Sequence, residues 1–181
     1  MDTLKEYIIN FAGLKIGEHS FSYILTDIFF KEFDYSEVTN GNLLVQVDVF
    51  KQERMFELDF YIKGTAEVEC SRCLDKFPYP IECTNKLIIK LGEAYSELSE
   101  EAIIIPENET MFNIAHYLYE FIIISLPIKR IHPNNKEGIS TCNKDMLKLL
   151  EEVMLSPDID NEEDEKEIDP RWEILKNFKF N

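Results

Sequence analysis

Leu43-Leu44-Val45-Gln46-Val47-Asp48-Val49-Phe50 is followed, after the polar link Lys51-Gln52-Glu53-Arg54, by Phe56-Glu57-Leu58-Asp59-Phe60-Tyr61-Ile62-Lys63. In the first run Leu43, Val45, Val47 and Val49 alternate with Leu44, Gln46, Asp48 and Phe50. In the second, Phe56, Leu58, Phe60 and Ile62 alternate with Glu57, Asp59, Tyr61 and Lys63. Strand side chains point to opposite faces in turn, so each run has one face to bury, and the polar link predicts a β-hairpin. Downstream, Gly64 predicts a break, after which Ala66, Val68 and Cys70 alternate into the turn Cys70-Ser71-Arg72-Cys73-Leu74. Ile81, Cys83, Asn85, Leu87, Ile89 and Leu91 form the longest alternating set, in which Cys83 reads as a buried core thiol. Upstream, residues 7–11 and 20–25 read as strands, and 26–33 as one or two helical turns capped by Thr26. Four antiparallel runs with short links make a meander, whose apolar face must be covered by helices or curled into a barrel. The expected fold is therefore α+β: an antiparallel β-meander or partly closed barrel covered by two or three helices.

The cover comes later in the chain. After the acidic, poorly patterned 92–109, a helix over 114–126 places Ile114, Tyr117, Leu118, Phe121 and Ile122 on one stripe, with Asn113 as its cap and Pro127 as its end. Residues 128–142 read as a loop containing His132, Pro133 and Gly138. Asn143 then caps a helix over 144–155 whose apolar face carries Met146, Leu147, Leu150, Val153 and Met154. From these patterns the chain divides into an α+β domain over 1–157, an acidic solvated linker over 158–168, and a C-terminal helix over 169–181. That helix opens on Asp169-Pro170-Arg171-Trp172, a cap followed by proline at the first helical position, and puts Trp172, Leu175 and Phe178 on one face. Such an end reads either as a docking peptide or as a segment that folds back onto its own domain.

The chain has 181 residues, 45% of them hydrophobic, which suffices for a single core. The greasiest stretch, 121–128, is interrupted by Ser125 and Pro127 and is too short to span a bilayer. The start, Met1-Asp2-Thr3-Leu4-Lys5-Glu6, lacks a basic region before an apolar run, which predicts a cytoplasmic protein. A formal net charge of −16 predicts repulsion of nucleic acid over most of the surface, so RNA contact must be local and basic proteins are the natural partners. The charge is uneven: 158–169 carries −7, 170–181 carries +2, and the body over 1–157 carries −11.

Cys70 and Cys73, three positions apart at a strand end, can grip one metal ion or form one redox pair. Arg72 between them can fork onto a phosphate or carboxylate. No Gly-rich phosphate loop, GxSxG or HExxH is present, so the sequence predicts a protein that is not an enzyme. His19 and His116 read as ordinary surface histidines. His132 and Cys142 share one loop, and with Cys70 and Cys73 they make a Cys₃His set, the ligand chemistry of a structural zinc site. The alternative, a thiol redox or metal-handling protein, is disfavoured because a redox CxxC opens a helix, whereas Phe77-Pro78-Tyr79-Pro80 points to a turn and a strand.

CSRCL at a strand end, LPIKRIHP after a helix and DPRW near the C-terminus together resemble the YceD family, the large ribosomal RNA subunit accumulation proteins, from about Phe11 to Phe178. Cys70, Arg72, Cys73 and Leu74 match its CxRCL motif, Leu126 and Pro127 its LP motif, and Asp169, Pro170, Arg171, Trp172 and Leu175 its DPRW-x-x-L ending. The resemblance implies a cytoplasmic, non-enzymatic factor needed for large-subunit (23S) rRNA to accumulate, acting on precursor particles. Many relatives carry more cysteines after the LP motif, where this chain has Lys136 and Ser140. A self-contained zinc ribbon is thereby ruled against, and the shared four-ligand site is left. Arg72, Arg171, Trp172 and Leu175 are the expected partner-binding residues, with a ribosomal protein, 23S rRNA or both as partner.

Overall fold

The computed structural model describes residues 3–34 and 36–155. They fall into two units, one ending at Cys142 and the other beginning at Asn143. The first contains the strands β1 (Ile8–Asn10), β2 (Gly17–Leu25), β3 (Asn40–Lys51), β4 (Met55–Glu69), β5 (Lys76–Gly92), β6 (Ser96–Ser99), β7 (Ala102–Pro106) and β8 (Met111–Asn113), with helices α1 (Asp27–Phe30) and α2 (Ala115–Ser125). Six strands form one sheet in the order β2-β3-β4-β5-β7-β6, while β1 pairs with β8. The strands β2 to β5 are the expected antiparallel meander, with Val45 opposite Ile62 and Val47 opposite Phe60 in the predicted hairpin. The row ends at β2 and β6, which do not pair with each other, so the sheet is open and the barrel alternative does not hold.

Alternation decides which face is inside. Val45, Val47, Val49, Phe56, Leu58, Phe60, Ile62, Leu87 and Ile89 are all buried, and their strand neighbours face out. Covering elements remove the need for closure. α2 buries Ala115, Leu118 and Ile122, and its Phe121 meets Phe60 edge-on with ring centroids 5.1 Å apart. α1 buries Phe29 and Phe30, Tyr7 packs on Phe29 at 5.1 Å, and Phe11 stacks on Phe56 at 4.0 Å. The cap position of α2 is Ile114, not the expected Asn113, which ends β8 one residue earlier; the Asn113 Oδ1 still accepts from the Ala115 N–H at 2.9 Å.

Several local expectations are corrected. Gly64 does not interrupt β4, which runs through it: Gly64 occupies an inward position in the same phase as Ile62 and Ala66. A Cβ there would lie 2.1 Å from the Asn42 carbonyl oxygen, so the position takes a residue without one. The stretch 92–109 holds two strands. β6 is exposed on both faces, so it has no alternation to read, and β7 is a short apolar run whose partner, β5, is parallel to it. The reading of His19 and His116 as ordinary surface histidines stands: His19, in β2, bonds to the Lys15 carbonyl oxygen, and His116 is paired on the surface with Glu120 at 3.0 Å. Cys83 is half-buried and hydrogen-bonded to Ser125, with burial raising its pKa. Thr26 makes no capping bond with its side chain, and α1 is a single turn.

The second unit contributes α3 (Lys144–Leu155). As predicted, Asn143 opens it, its Oδ1 accepting from Asp145 at 3.1 Å and Met146 at 3.4 Å. The acidic linker and the DPRW segment, with Arg171, Trp172 and Leu175, lie outside the described residues.

Candidate metal centre

β4 and β5 are joined by the turn at residues 70–75. The Cys70 N–H donates to the Asp75 carbonyl at 3.0 Å and the Leu74 N–H to the Cys70 carbonyl at 3.0 Å, which closes the turn. Leu74 takes a left-handed conformation, φ 64°, which reverses the chain directly after the second cysteine. The backbone N–H groups of Cys73 and Arg72 consequently point at the Cys70 sulfur.

The other half of the site arrives after α2. Leu126, nearly buried, ends that helix, and the following stretch is fastened to the turn by two bonds: Ser71 N–H to the Arg130 carbonyl at 2.7 Å, and Arg130 N–H to Ser71 Oγ at 3.1 Å. Arg130 is held in turn by Glu37 at 2.7 Å. Beyond His132 the chain makes a small closed loop. Asn134 bridges to Ser140, the Asn135 side chain accepts from Glu137 and Ile139, Gly138 supplies a positive φ, and Thr141 Oγ1 donates to the Pro133 carbonyl. This loop returns Cys142 beside His132, so two residues ten positions apart reach the same point.

All four predicted ligands meet. Cys70 Sγ lies 3.9 Å from Cys142 Sγ, Cys73 Sγ lies 3.4 Å from His132 Nδ1, and the four ligand atoms are within 4.8 Å of one another. Sulfur and nitrogen ligands at the usual zinc distances sit about 3.3–3.8 Å apart around a tetrahedron, so this spacing suits one ion. Cys70, Cys73 and Cys142 are buried, and the His132 ring rests on Phe77 with centroids 4.4 Å apart. The sulfurs are not bonded to each other. Burial alone would disfavour the Cys70 thiolate. The N–H groups of Cys73, Arg72 and His132, with the His132 side chain, outweigh it and draw the thiol down to about 6. A thiolate with three N–H donors is prepared for a cation.

Three buried thiols packed only as small hydrophobes would need no imidazole nitrogen among them, and the convergence of both halves favours a metal site. A redox role has no support here: reactive thiols are partly exposed, whereas Cys70 and Cys73 are buried, and the turn feeds a strand, not a helix. Lys136 is exposed and the Ser140 hydroxyl accepts from the Cys142 N–H, so neither is a ligand. Arg72 is exposed beside the site. Ser71 and Arg130, which fasten the two halves, were not singled out from sequence. Arg130 lies within LPIKR, and a motif that carried one predicted ligand's approach could have drawn attention to it.

No curated protein and no solved structure matches the chain. Residues 58–179 match the family described as Large ribosomal RNA subunit accumulation protein YceD. The match covers well over half of the chain and takes in the turn at Cys70, the loop through His132 and Cys142, and the DPRW ending; the chain belongs to the YceD family.

Proposed function

We propose that this protein is a non-enzymatic factor for large ribosomal subunit biogenesis that engages precursor particles by holding or docking on a basic ribosomal protein. The family membership points to accumulation of large-subunit rRNA. The charge of the chain is the observation that carries the mechanism: a body of net −11 is a poor general ligand for RNA and a good one for basic proteins. In this reading Cys70, Cys73, His132 and Cys142 hold one zinc ion, which supplies a covalent-like clamp between the β4–β5 turn and the loop after α2. Arg72 beside that clamp, and Arg171, Trp172 and Leu175 at the C-terminal end, make contact with the partner.

At one fixed ionic strength, the purified chain should bind salt-extracted large-subunit proteins at least tenfold more tightly than naked large-subunit rRNA. Salt weakens both kinds of contact, so only the comparison discriminates. Neutralising the acidic residues of 158–169 should strengthen whatever RNA binding remains, because repulsion near the basic end is relieved. Tight binding to naked rRNA with none to the proteins would sink the mechanism.

A further inference from the structure

The face of the sheet turned away from the helices is not uniformly polar. Ile24 on β2 stands opposite Leu44 on β3, and Tyr61 on β4 is one row away, opposite Gln46. Their exposures are 61%, 62% and 47%. An antiparallel sheet with one solvated face needs only polar side chains there, as Ser22, Gln46 and Thr84 in the row of Tyr61 show. Ile24, Leu44 and Tyr61 instead line one shallow concavity of about 560 Å³. Grouped exposed apolar side chains of this kind mark contact surfaces.

The charged side chains of the concavity itself are Lys63 and Glu82; beyond Tyr61 the face turns acidic, with Asp48 and Asp59 beside Lys86 in the next row and Glu18 and Glu57 in the row after it. Lys63 pairs with Glu82, and Lys86 with Glu57 and, more loosely, Asp59. Glu18 and Asp48 make no ion pair among the described residues. An apolar centre with a charged rim is the anatomy of a protein interface. The sign of the rim selects among occupants. RNA would meet carboxylates, and a second copy of this chain would bring two acidic faces together at a net charge of −16 each.

We infer that this open face, centred on Ile24, Leu44 and Tyr61, docks a basic segment of a protein that carries apolar side chains between its lysines and arginines. The inference rests on the proposal of a basic ribosomal protein as partner and names the surface that receives it. Apolar side chains of the segment fill the concavity while its cations face Asp48, Asp59 and Glu18.

The test uses the full chain and salt-extracted large-subunit proteins as the probe, with three variants: Leu44→Ser with Tyr61→Ser, Asp48→Lys with Asp59→Lys, and, as a charge-matched control away from the face, Glu93→Lys with Glu100→Lys. Both face variants should lose at least tenfold in affinity and the control should change less than threefold, with all melting transitions retained. If wild type binds the proteins and the face variants bind equally well, the surface is wrong and the basic partner stands. If wild type binds none of them, the partner reading itself fails and takes the surface with it. Equal losses in the control would reduce the effect to bulk charge and overturn the inference. Two other occupants are also read out: a dimer in sedimentation that Leu44→Ser with Tyr61→Ser dissolves would place a second copy on the face. A shift in the emission of Trp172, the chain's one tryptophan, on making the same variant would place the chain's own end there. Either would overturn the inference.

Discussion

Protein carrying Cys73→Ser should be recovered without metal, whereas wild type purified without chelator should hold about one zinc ion per chain. Cys73 supplies one of four ligand atoms clustered within 4.8 Å, and its sulfur lies 3.4 Å from His132 Nδ1. A ligand present at about a thousand times its dissociation constant adds about 4 kcal/mol to stability. In a chain of this size that corresponds to a fall of about 10 °C in melting temperature when it is lost. The loss should concentrate in the loop over 128–142, whose remaining ties to the body include the Ser71–Arg130 bonds, so amide exchange there should accelerate first. Acid acts in the same direction. The Cys70 thiol of the metal-free chain sits at about 6, below its ordinary value of about 8.5. Its contribution to stability is complete above about 8.5 and is lost as pH falls through 6, and protons then compete with the metal for the same sulfur. Metal analysis across that range is the check. A metal-free wild type with an unchanged melting temperature would remove the centre.

Gly64→Ala should unfold the body or cost it more than about 3 kcal/mol, for a reason that has nothing to do with helix or strand preference. The added Cβ would sit 2.1 Å from the Asn42 carbonyl oxygen and 2.9 Å from Leu43 Cα, and both are backbone atoms of β3 paired with β4 at that row. Relief requires β3 and β4, two central strands of the meander, to move apart beneath the core residues Leu43 and Ile62. Gly138→Ala is the informative comparison. Gly138 also has positive φ, +80°, but nothing lies within 4 Å of its missing Cβ, so the substitution carries only conformational strain of about 1 kcal/mol. Chemical denaturation of the two variants side by side measures the difference, and equal costs would mean that β3 and β4 are less rigidly paired at this row than the fold implies.

Most of the sheet is legible in the sequence because one face of β2 to β5 is buried and the other wet, and alternation records that difference residue by residue. The signal failed where residue type does not follow burial. β6 is exposed throughout, and in β7 the half-buried positions 102, 104 and 106 are apolar like the buried Ile103 and Ile105, so the alternation of its burial is not written in residue type. Gly64 misled for a related reason: glycine usually punctuates, but here a close backbone approach, invisible in one strand's own sequence, selected it. The four candidate ligands were nameable from residue type and from the turn at Cys70. Their meeting was not, since it depends on the Ser71–Arg130 bonds and on the loop over 133–141, which act between segments about sixty residues apart. Leu74 at positive φ was equally hidden, because leucine gives no hint of a left-handed position.

Support of large-subunit rRNA accumulation through contact with precursor particles is the role proposed for this YceD-family chain. The most direct measurement is the ratio of large- to small-subunit rRNA in cells whose own copy of the chain has been deleted, together with the sedimentation position of the tagged chain in lysates. The ratio should fall on deletion, return with wild type and stay low with Cys73→Ser, and the tagged chain should travel with large-subunit precursors. An unchanged ratio in the deleted cells, with the chain sedimenting free of any ribosomal particle, would contradict it.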